Sequence, residues 1–270
     1  MARPDAGHHV GQQFGLIERY TAAAKRAVKI PVIAKMTPNI TDMVPAALAA
    51  QQGGADGISA INTLKSVSHV DLTGGVNGLH ALPDILGHSS ISGFSGRAGR
   101  PIGLRFVAEL AQAEALRIPI SGMGGIYTWR DAAEYLALGS SNLQVTTSVM
   151  QHGTRIVEDM ADGLRRYMAE QRVGSLQELV GRAKNSLVDP SMLDMSTEVM
   201  SIIDQDKCVG CGACSIACRH GSVEAISLHR GGKNYRHAQV DSIKCIGCKL
   251  CEFVCPVEAI SFEVRNRIPR

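Results

Sequence analysis

The residues of this sequence best suited to chemistry are its eight cysteines, which all lie between Cys208 and Cys255. The first 207 of the 270 residues contain none. The run C-x2-C-x2-C-x3-C occurs twice, at Cys208, Cys211, Cys214 and Cys218 and again at Cys245, Cys248, Cys251 and Cys255. Thiolates are metal ligands, and cysteines confined to one segment indicate a dedicated metal module in a reducing compartment, not a disulfide framework. We therefore predict a metal-binding module near the carboxyl end and a cytoplasmic location.

The spacing of the two runs is that of bacterial ferredoxins with two iron-sulfur clusters, in which the fourth cysteine of each run ligates the other cluster. It predicts two [4Fe-4S] clusters. One would be held by Cys208, Cys211, Cys214 and Cys255, and the other by Cys245, Cys248, Cys251 and Cys218. Similar strand-like stretches follow the two runs, EAISLHR at 224–230 and EAISFEV at 258–264, which indicates an internal duplication. A pair of zinc sites is the alternative, but zinc sites commonly use two separated C-x2-C pairs.

Upstream of the cysteines, short apolar runs alternate with amphipathic stretches. We predict strands at 30–36, 55–61, 117–123 and 141–147, and helices at about 14–28, 41–53, 101–115, 128–139 and 150–170. A long loop rich in Gly and Ser follows the second strand. Four successive βα units indicate an α/β fold with a parallel sheet and right-handed crossovers. A doubly wound sheet and part of a (β/α)8 TIM barrel both share this pattern.

The ends of the last two strands favour the barrel. Gly124 and Gly125 follow the third strand, and Thr146 and Thr147 follow the fourth. Barrels build phosphate sites from the loops after strands 7 and 8, and no G-x-G-x-x-G follows the first strand as a dinucleotide fold would require. We therefore interpret the units as strands 5 to 8. Because a whole barrel takes about 250 residues, we expect either a truncated chain or a second copy or separate chain that supplies the other strands.

Five segments give the chain a family resemblance. They are IPVIAKMTPNITD, GGADGISAINT, SGFSGRAGRPIGLR, ISGMGGIYTWRDAAEYLALGSSNLQV and the double cysteine run. Together they resemble the FMN and iron-sulfur subunit of NAD-dependent dihydropyrimidine dehydrogenases. The resemblance implies a barrel that holds FMN and reduces the 5,6 double bond of uracil or thymine. It also implies that electrons from NADH arrive through a flavoprotein partner subunit, which binds FAD and NAD, and then through the clusters.

The resemblance implies roles for individual residues. Lys35 matches a position beside the flavin, and Asn62 and Thr63 match positions that hydrogen-bond the pyrimidine. The residues that match the phosphate and ribityl region of FMN are Gly93, Gly96, Gly124, Gly125, Thr146 and Thr147.

The same resemblance leaves the general acid unassigned. In the family this acid is a cysteine in a motif just before the stretch that matches MARPDAGHHVGQ, so its position would lie before Met1. We therefore identify no catalytic residue in this sequence and expect this chain alone to be inactive. The pair His8 and His9 could substitute as an acid, but it also fits an exposed tail.

Each of the matched residues also has an ordinary structural interpretation. Lys35 ends an apolar strand and could be a solvated lysine, and Asn62 and Thr63 could simply close a turn. The pair Gly124 and Gly125 could be a tight turn between a strand and a helix. Their joint placement after successive strands favours the functional interpretation, because the carboxyl ends of barrel strands carry the active site.

Composition narrows the function classes. A net charge of +3 and 4% aromatic residues exclude a large basic or stacking surface, so we predict no nucleic-acid partner. No apolar stretch approaches the about 18 residues of a membrane span.

We divide the chain into a partial FMN-binding barrel at 1–172, a helical linker at 173–201 and a ferredoxin domain at 202–270. Two other functions stay open, a non-catalytic electron-transfer protein and a dihydroorotate dehydrogenase-like enzyme with another substrate.

Overall fold

A computed structural model describes residues 10–73, 80–82, 86, 88–194, 197–230 and 236–266. Met1, before which the family's general acid was placed, lies outside these ranges, as does the pair His8 and His9.

The chain divides into two compact units, with the boundary between Leu187 and Val188. The boundary predicted at 202 instead falls inside a strand, Thr197–Ile203, whose partner strand lies near the carboxyl end. The linker prediction missed this strand because the start of the domain was inferred from its cysteines. The first cysteine comes five residues after the strand ends.

The first unit alternates helices with short strands. Its helices are α1 (Phe14–Ala27), α2 (Val44–Gln52), α3 (Arg100–Gln112), α4 (Trp129–Leu138), α5 (Thr147–His152), α6 (Arg155–Glu170) and α7 (Leu176–Leu179). Its strands are β1 (Ile33–Lys35), β2 (Gly57–Ala60), β3 (Leu64–Ser66), β4 (His69–Asp71), β5 (His80–Leu82), β6 (Ser92–Phe94), β7 (Ile120–Met123) and β8 (Asn142–Gln144).

Four of these strands form one parallel sheet in the order β1-β2-β7-β8. A doubly wound sheet reverses its strand order at a switch point. Here the four strands follow one another across the sheet in the same order as along the chain, as the strands of a barrel wall do. The α/β barrel architecture predicted from the sequence is confirmed, and the doubly wound alternative is not.

The register of the sheet sorts its side chains into two faces, because successive residues of a strand point to opposite sides. One row across the sheet is polar: Lys35, Ser59, Ser121 and Asn142. The neighbouring row is apolar: Ala34, Ile58 and Ile120. The apolar row packs with helix residues in the core of the unit, among them Phe106, Leu110 and Tyr135. The polar row thus occupies the face away from the helices.

Two predicted elements of the first unit need correction. The long Gly- and Ser-rich loop contains two antiparallel pairs, β3 with β6 and β4 with β5. Each of these strands has only three residues, too few to give a periodic pattern. The single helix predicted at 150–170 is two helices, α5 and α6, because Gly153 at the end of α5 has a φ of 78°. Such a left-handed conformation ends a helix.

The described residues of the second unit form two antiparallel strand pairs and two short α-helices. In chain order its elements are β9 (Thr197–Ile203), α8 (Ala213–His220), β10 (Ile226–Arg230), β11 (Arg236–Val240), α9 (Leu250–Phe253) and β12 (Ile260–Asn266). Strand β9 pairs with β12, and β10 pairs with β11. The duplicated stretches after the cysteine runs form β10 and β12, so the predicted internal repeat is also a structural one. Within the described ranges, none of the helices combines the length and apolar character that crossing a membrane requires.

Candidate functional site

An open cavity lies at the carboxyl ends of the four parallel strands. The predicted site residues that line it are Lys35, Asn62, Thr63, Gly96, Gly124, Gly125, Thr146 and Thr147. Gly93 lies beside this set in β6, where a Cβ would come 2.2 Å from the Thr63 hydroxyl oxygen. The fold therefore gathers residues that are more than 100 positions apart in the sequence into one concave site.

Gly125 joins two of the loops that form the cavity wall. Its φ is +69°, and a Cβ added there would lie 2.8 Å from both the carbonyl oxygen of Gly96 and the amide nitrogen of Arg100. A side chain would strain the backbone and push these loops apart. The loop after β7 can approach the turn before α3 only because this residue is glycine.

Tyr135 of α4 supports the same loop from the helix side. Its hydroxyl donates hydrogen bonds to the carbonyl oxygens of Gly124, at 2.7 Å, and Met123, at 3.3 Å. Burial raises the pKa of Tyr135, so the phenol stays a donor. A Cβ at Gly103 would lie 1.9 Å from the Tyr135 hydroxyl oxygen, so that glycine makes room for it. Sequence reasoning missed Tyr135 because it appears as one apolar position of an amphipathic helix.

Asp131 holds the start of α4 in place. One of its carboxylate oxygens accepts hydrogen bonds from the amides of Tyr127, at 2.9 Å, and Thr128, at 2.8 Å. The other oxygen accepts from Arg100 at 2.7 Å. The Thr128 hydroxyl accepts in return from the Asp131 amide, which completes a capping box. This buried carboxylate thus ties the beginning of α3 to the cavity loop.

A polar network lies under the cavity on the face of the sheet away from the helices. The Gln144 amide nitrogen donates to the hydroxyls of Ser59, at 3.0 Å, and Ser121, at 2.8 Å. Gln144 lines the cavity with Lys35, on the other edge strand of the sheet. Sequence reasoning missed Gln144, although its position two residues before Thr146 in the strand predicted at 141–147 was a usable signal.

Asn62 and Thr63 lie where both predicted interpretations, substrate binding and closing a turn, would place them. Both side chains line the cavity and are exposed to it. The Asn62 carbonyl oxygen also accepts a hydrogen bond from the Thr63 amide at 2.9 Å, as a turn residue does. The hydroxyls of Ser95 and Thr147, which also line the cavity, lie 3.2 Å apart. The cavity therefore offers both amide and hydroxyl groups to a ligand.

Two smaller cavities in the second unit collect the cysteines. One is lined by Cys208, Cys211, Cys214 and Cys255. The other is lined by Cys218, Cys245, Cys248 and Cys251. Each cavity takes three cysteines from one run and the fourth from the other, which is the predicted crossed grouping. Among the residues that the structure describes, no three His, Cys, Asp or Glu side chains meet closely enough to hold one metal ion.

The cysteine environments differ in how far they favour the thiolate form. Burial raises the pKa of Cys214 and of Cys251. Burial also opposes ionisation of Cys245, but hydrogen bonds at the Ser201 and Gly247 backbone and at the Ser201 hydroxyl bring its pKa below the ordinary value. Because metal ligands are thiolates, these thiols must lose protons when they bind a metal.

Comparison with protein-family models gives two matches that follow the two units. Residues 3–168 match the family described as dihydroorotate dehydrogenase. Residues 201–262 match the 4Fe-4S dicluster domain. The second match confirms the iron-sulfur prediction and favours it over the zinc alternative.

Curated relatives match two thirds or more of this chain. The NAD-dependent dihydropyrimidine dehydrogenase subunit PreA of Escherichia coli is 53% identical over 221 residues, which are 82% of this chain and 53% of that protein. The dihydroorotate dehydrogenase B (NAD(+)) catalytic subunit of Thermococcus kodakarensis is 40% identical over 66% of this chain and 55% of its own. The chloroplastic dihydropyrimidine dehydrogenase (NADP(+)) of Arabidopsis thaliana is 35% identical over 66% of this chain and 42% of its own.

The chain spans about half the length of the curated relatives it matches. Its first unit has the parallel βα units and the cavity at the strand ends described above, and its second has two crossed groups of four cysteines. The chain therefore belongs to the dihydroorotate dehydrogenase family and carries a 4Fe-4S dicluster domain at its carboxyl end.

Proposed function

We propose that this chain is part of an FMN-dependent oxidoreductase that reduces the 5,6 double bond of uracil or thymine. The reduction adds two electrons and two protons across that bond, and the electrons come from NADH by way of two [4Fe-4S] clusters. The observation that carries the proposal is the combination, in one chain, of the cavity at the strand ends with the two cysteine cavities.

The residues around the large cavity suit FMN. Gly124 and Gly125 leave room for a phosphate to approach the backbone, and the hydroxyls of Thr146 and Thr147 can donate to its oxygens. Lys35 would lie beside the flavin and stabilise negative charge on it. When bound, FMN would supply the hydride that the substrate accepts. Gly93, beside Thr63, and Gly96, beside Gly125 and Thr147, would leave room in the wall of the cavity.

The substrate would bind at Asn62 and Thr63. A pyrimidine base presents alternating carbonyl and N–H groups, and an amide beside a hydroxyl can pair with both kinds. These two side chains would orient the ring over the flavin.

The relatives favour a pyrimidine base over dihydroorotate. The match to the dihydropyrimidine dehydrogenase subunit covers 221 residues, more than the first unit contains, so it extends into the second unit. The matches to dihydroorotate dehydrogenase catalytic subunits cover 177 or 178 residues, which the first unit alone could contain.

We further propose a flavoprotein partner subunit that binds FAD and NAD. The support is that the E. coli relative is named a subunit of an NAD-dependent enzyme, while this sequence contains no G-x-G-x-x-G of its own. A cytoplasmic location fits eight thiols that bind iron. A second copy or a separate chain beside the sheet stays a prediction.

Equilibrium binding tests the substrate proposal without requiring turnover. Uracil, thymine and orotate are each titrated anaerobically into the full chain loaded with clusters and FMN, and binding is followed by the change in the flavin spectrum. We expect uracil or thymine to bind and orotate not to bind. Asn62→Ala should weaken binding about tenfold, the value of one hydrogen bond, while Ser90→Ala, an exposed position near β6, should not. Binding of orotate alone would identify the other enzyme class, and binding of none would contradict the proposal.

A further inference from the structure

The two cysteine cavities are related by the internal duplication, but their surroundings differ at one equivalent position. Ser201 on β9 and Ala238 on β11 stand at matching places before the two runs, each on the strand that precedes the first cysteine. The backbone supports the same alignment, since a Cβ at Gly247 would contact the carbonyl oxygen of Val199 and a Cβ at Gly210 that of Arg236. Val199 and Arg236 each lie two residues before the position in question, so Ser201 is the counterpart of Ala238.

Each member of the pair faces one cavity. Ser201, which is 3% exposed, lines the cavity of Cys245 and Cys251, and its hydroxyl lies 3.2 Å from the Cys251 sulfur and 3.7 Å from the Cys245 sulfur. Ala238, which is 1% exposed, lines the other cavity and has no hydroxyl to offer. The duplication has thus left a buried hydroxyl beside one group of cysteines and a methyl group at the matching place beside the other.

A largely buried cation also lies beside the Cys245 group. Arg265 on β12 donates a hydrogen bond to the carbonyl oxygen of Cys245 at 3.0 Å and another to the carbonyl oxygen of Ser242. It also pairs with Glu198 at 3.1 Å, and both side chains are only 15% exposed. The guanidinium is therefore fixed against the loop that carries Cys245.

Reduction of a [4Fe-4S] cluster adds one electron and neither forms nor breaks a bond. Hydrogen bonds to the sulfurs and nearby positive charge stabilise the more negative, reduced form and so raise the reduction potential. We propose that Ser201, assisted by Arg265, makes the cluster at Cys218, Cys245, Cys248 and Cys251 the easier of the two to reduce, so that a single electron rests there. This inference rests on the two [4Fe-4S] clusters of the proposed function.

The test is a redox titration of the full chain followed by electron paramagnetic resonance. Ser201→Ala should lower the reduction potential of the more easily reduced cluster by ~59 mV, which is a tenfold change in the equilibrium constant of a one-electron reduction. Ala238→Ser should raise the reduction potential of the other cluster, so that the difference between the two cluster potentials becomes smaller. Ser261→Ala, an exposed position on β12, is the matched control and should shift neither potential.

The variants separate failure of this inference from failure of the proposed function. If iron and sulfide contents are unchanged and Ser201→Ala shifts the less easily reduced cluster or neither, the inference is overturned while the clusters stand. If the Ser201→Ala variant does not assemble its clusters, the Ala238→Ser variant provides the test. An unchanged difference between the two cluster potentials in that variant overturns the inference. Absence of iron from the unaltered chain would instead contradict the proposed function.

Discussion

The hydroxyl of Tyr135 donates a 2.7 Å hydrogen bond to the carbonyl oxygen of Gly124, so a residue buried in α4 holds the cavity loop of the first unit. Tyr135→Phe would leave that carbonyl without its donor. We expect the free energy of unfolding of this unit to fall by about 1–3 kcal/mol and FMN to bind more weakly. Trp129, the single tryptophan of the chain, reports unfolding of this unit by fluorescence. Tyr20→Phe, an exposed position, is the control, and equal stabilities of the two variants would disprove the role.

Gly125→Ala should be far more damaging than the same change at Gly99. Alanine at 125 must adopt a φ of +69° and contact backbone atoms at 2.8 Å, whereas a Cβ at 99 meets nothing within 4 Å. We expect a loss of about 1–3 kcal/mol for the left-handed conformation alone, together with loss of FMN binding measured by flavin fluorescence. Both glycines line the cavity. Similar FMN affinities in the two variants would show that the contact between the loops is unimportant.

Removing the Asp131 carboxylate should disconnect α3 from α4. Asp131→Ala loses the acceptor for two amides and the buried end of the pair with Arg100. We expect about 1–3 kcal/mol of destabilisation in urea unfolding, because the amides of Tyr127 and Thr128 lose their acceptor. Glu134→Gln removes the exposed partner of the same arginine and should cost less than about 1 kcal/mol. A larger effect from Glu134 would reverse this assignment.

How far the sequence predicts the site depends on whether the signal is local. Strand ends, the glycine pair and the cysteine spacing are local patterns, and the residues they indicate lie where expected. Gln144 and Tyr135 were missed because their roles depend on register and on helix packing, which bring Ser59 and Gly124 to them from elsewhere in the chain. The strands β3 to β6 were missed because three-residue strands carry no periodicity.

Lys35 should stabilise reduced FMN. Lys35→Gln removes a cation from the cavity wall, so the two-electron potential of the bound flavin should fall, by about 30 mV for a tenfold change in the equilibrium constant. Lys29→Gln, an exposed position before β1, should leave the potential unchanged. Spectroelectrochemical titration measures the flavin potential in both variants. Equal potentials would show that Lys35 is an ordinary solvated lysine.

Iron removal should unfold the second unit selectively. Buried cysteines form much of its core, among them Cys214, Cys218, Cys245 and Cys251. A metal site that fills such a core contributes folding free energy. After anaerobic chelation we expect amide hydrogen exchange to become fast over β9 to β12 and to stay slow in β2 and β7. Retained protection in β9 and β12 would show that this unit folds without clusters.

Cofactor content of one anaerobic preparation of the full chain tests the central claim most directly. Iron, acid-labile sulfide and released flavin are measured per polypeptide on the same sample. We predict about eight irons, about eight sulfides and close to one FMN, since two cubane clusters carry about four irons each. Zinc in place of iron, or eight irons with no flavin, would contradict an enzyme that joins an FMN site to two clusters.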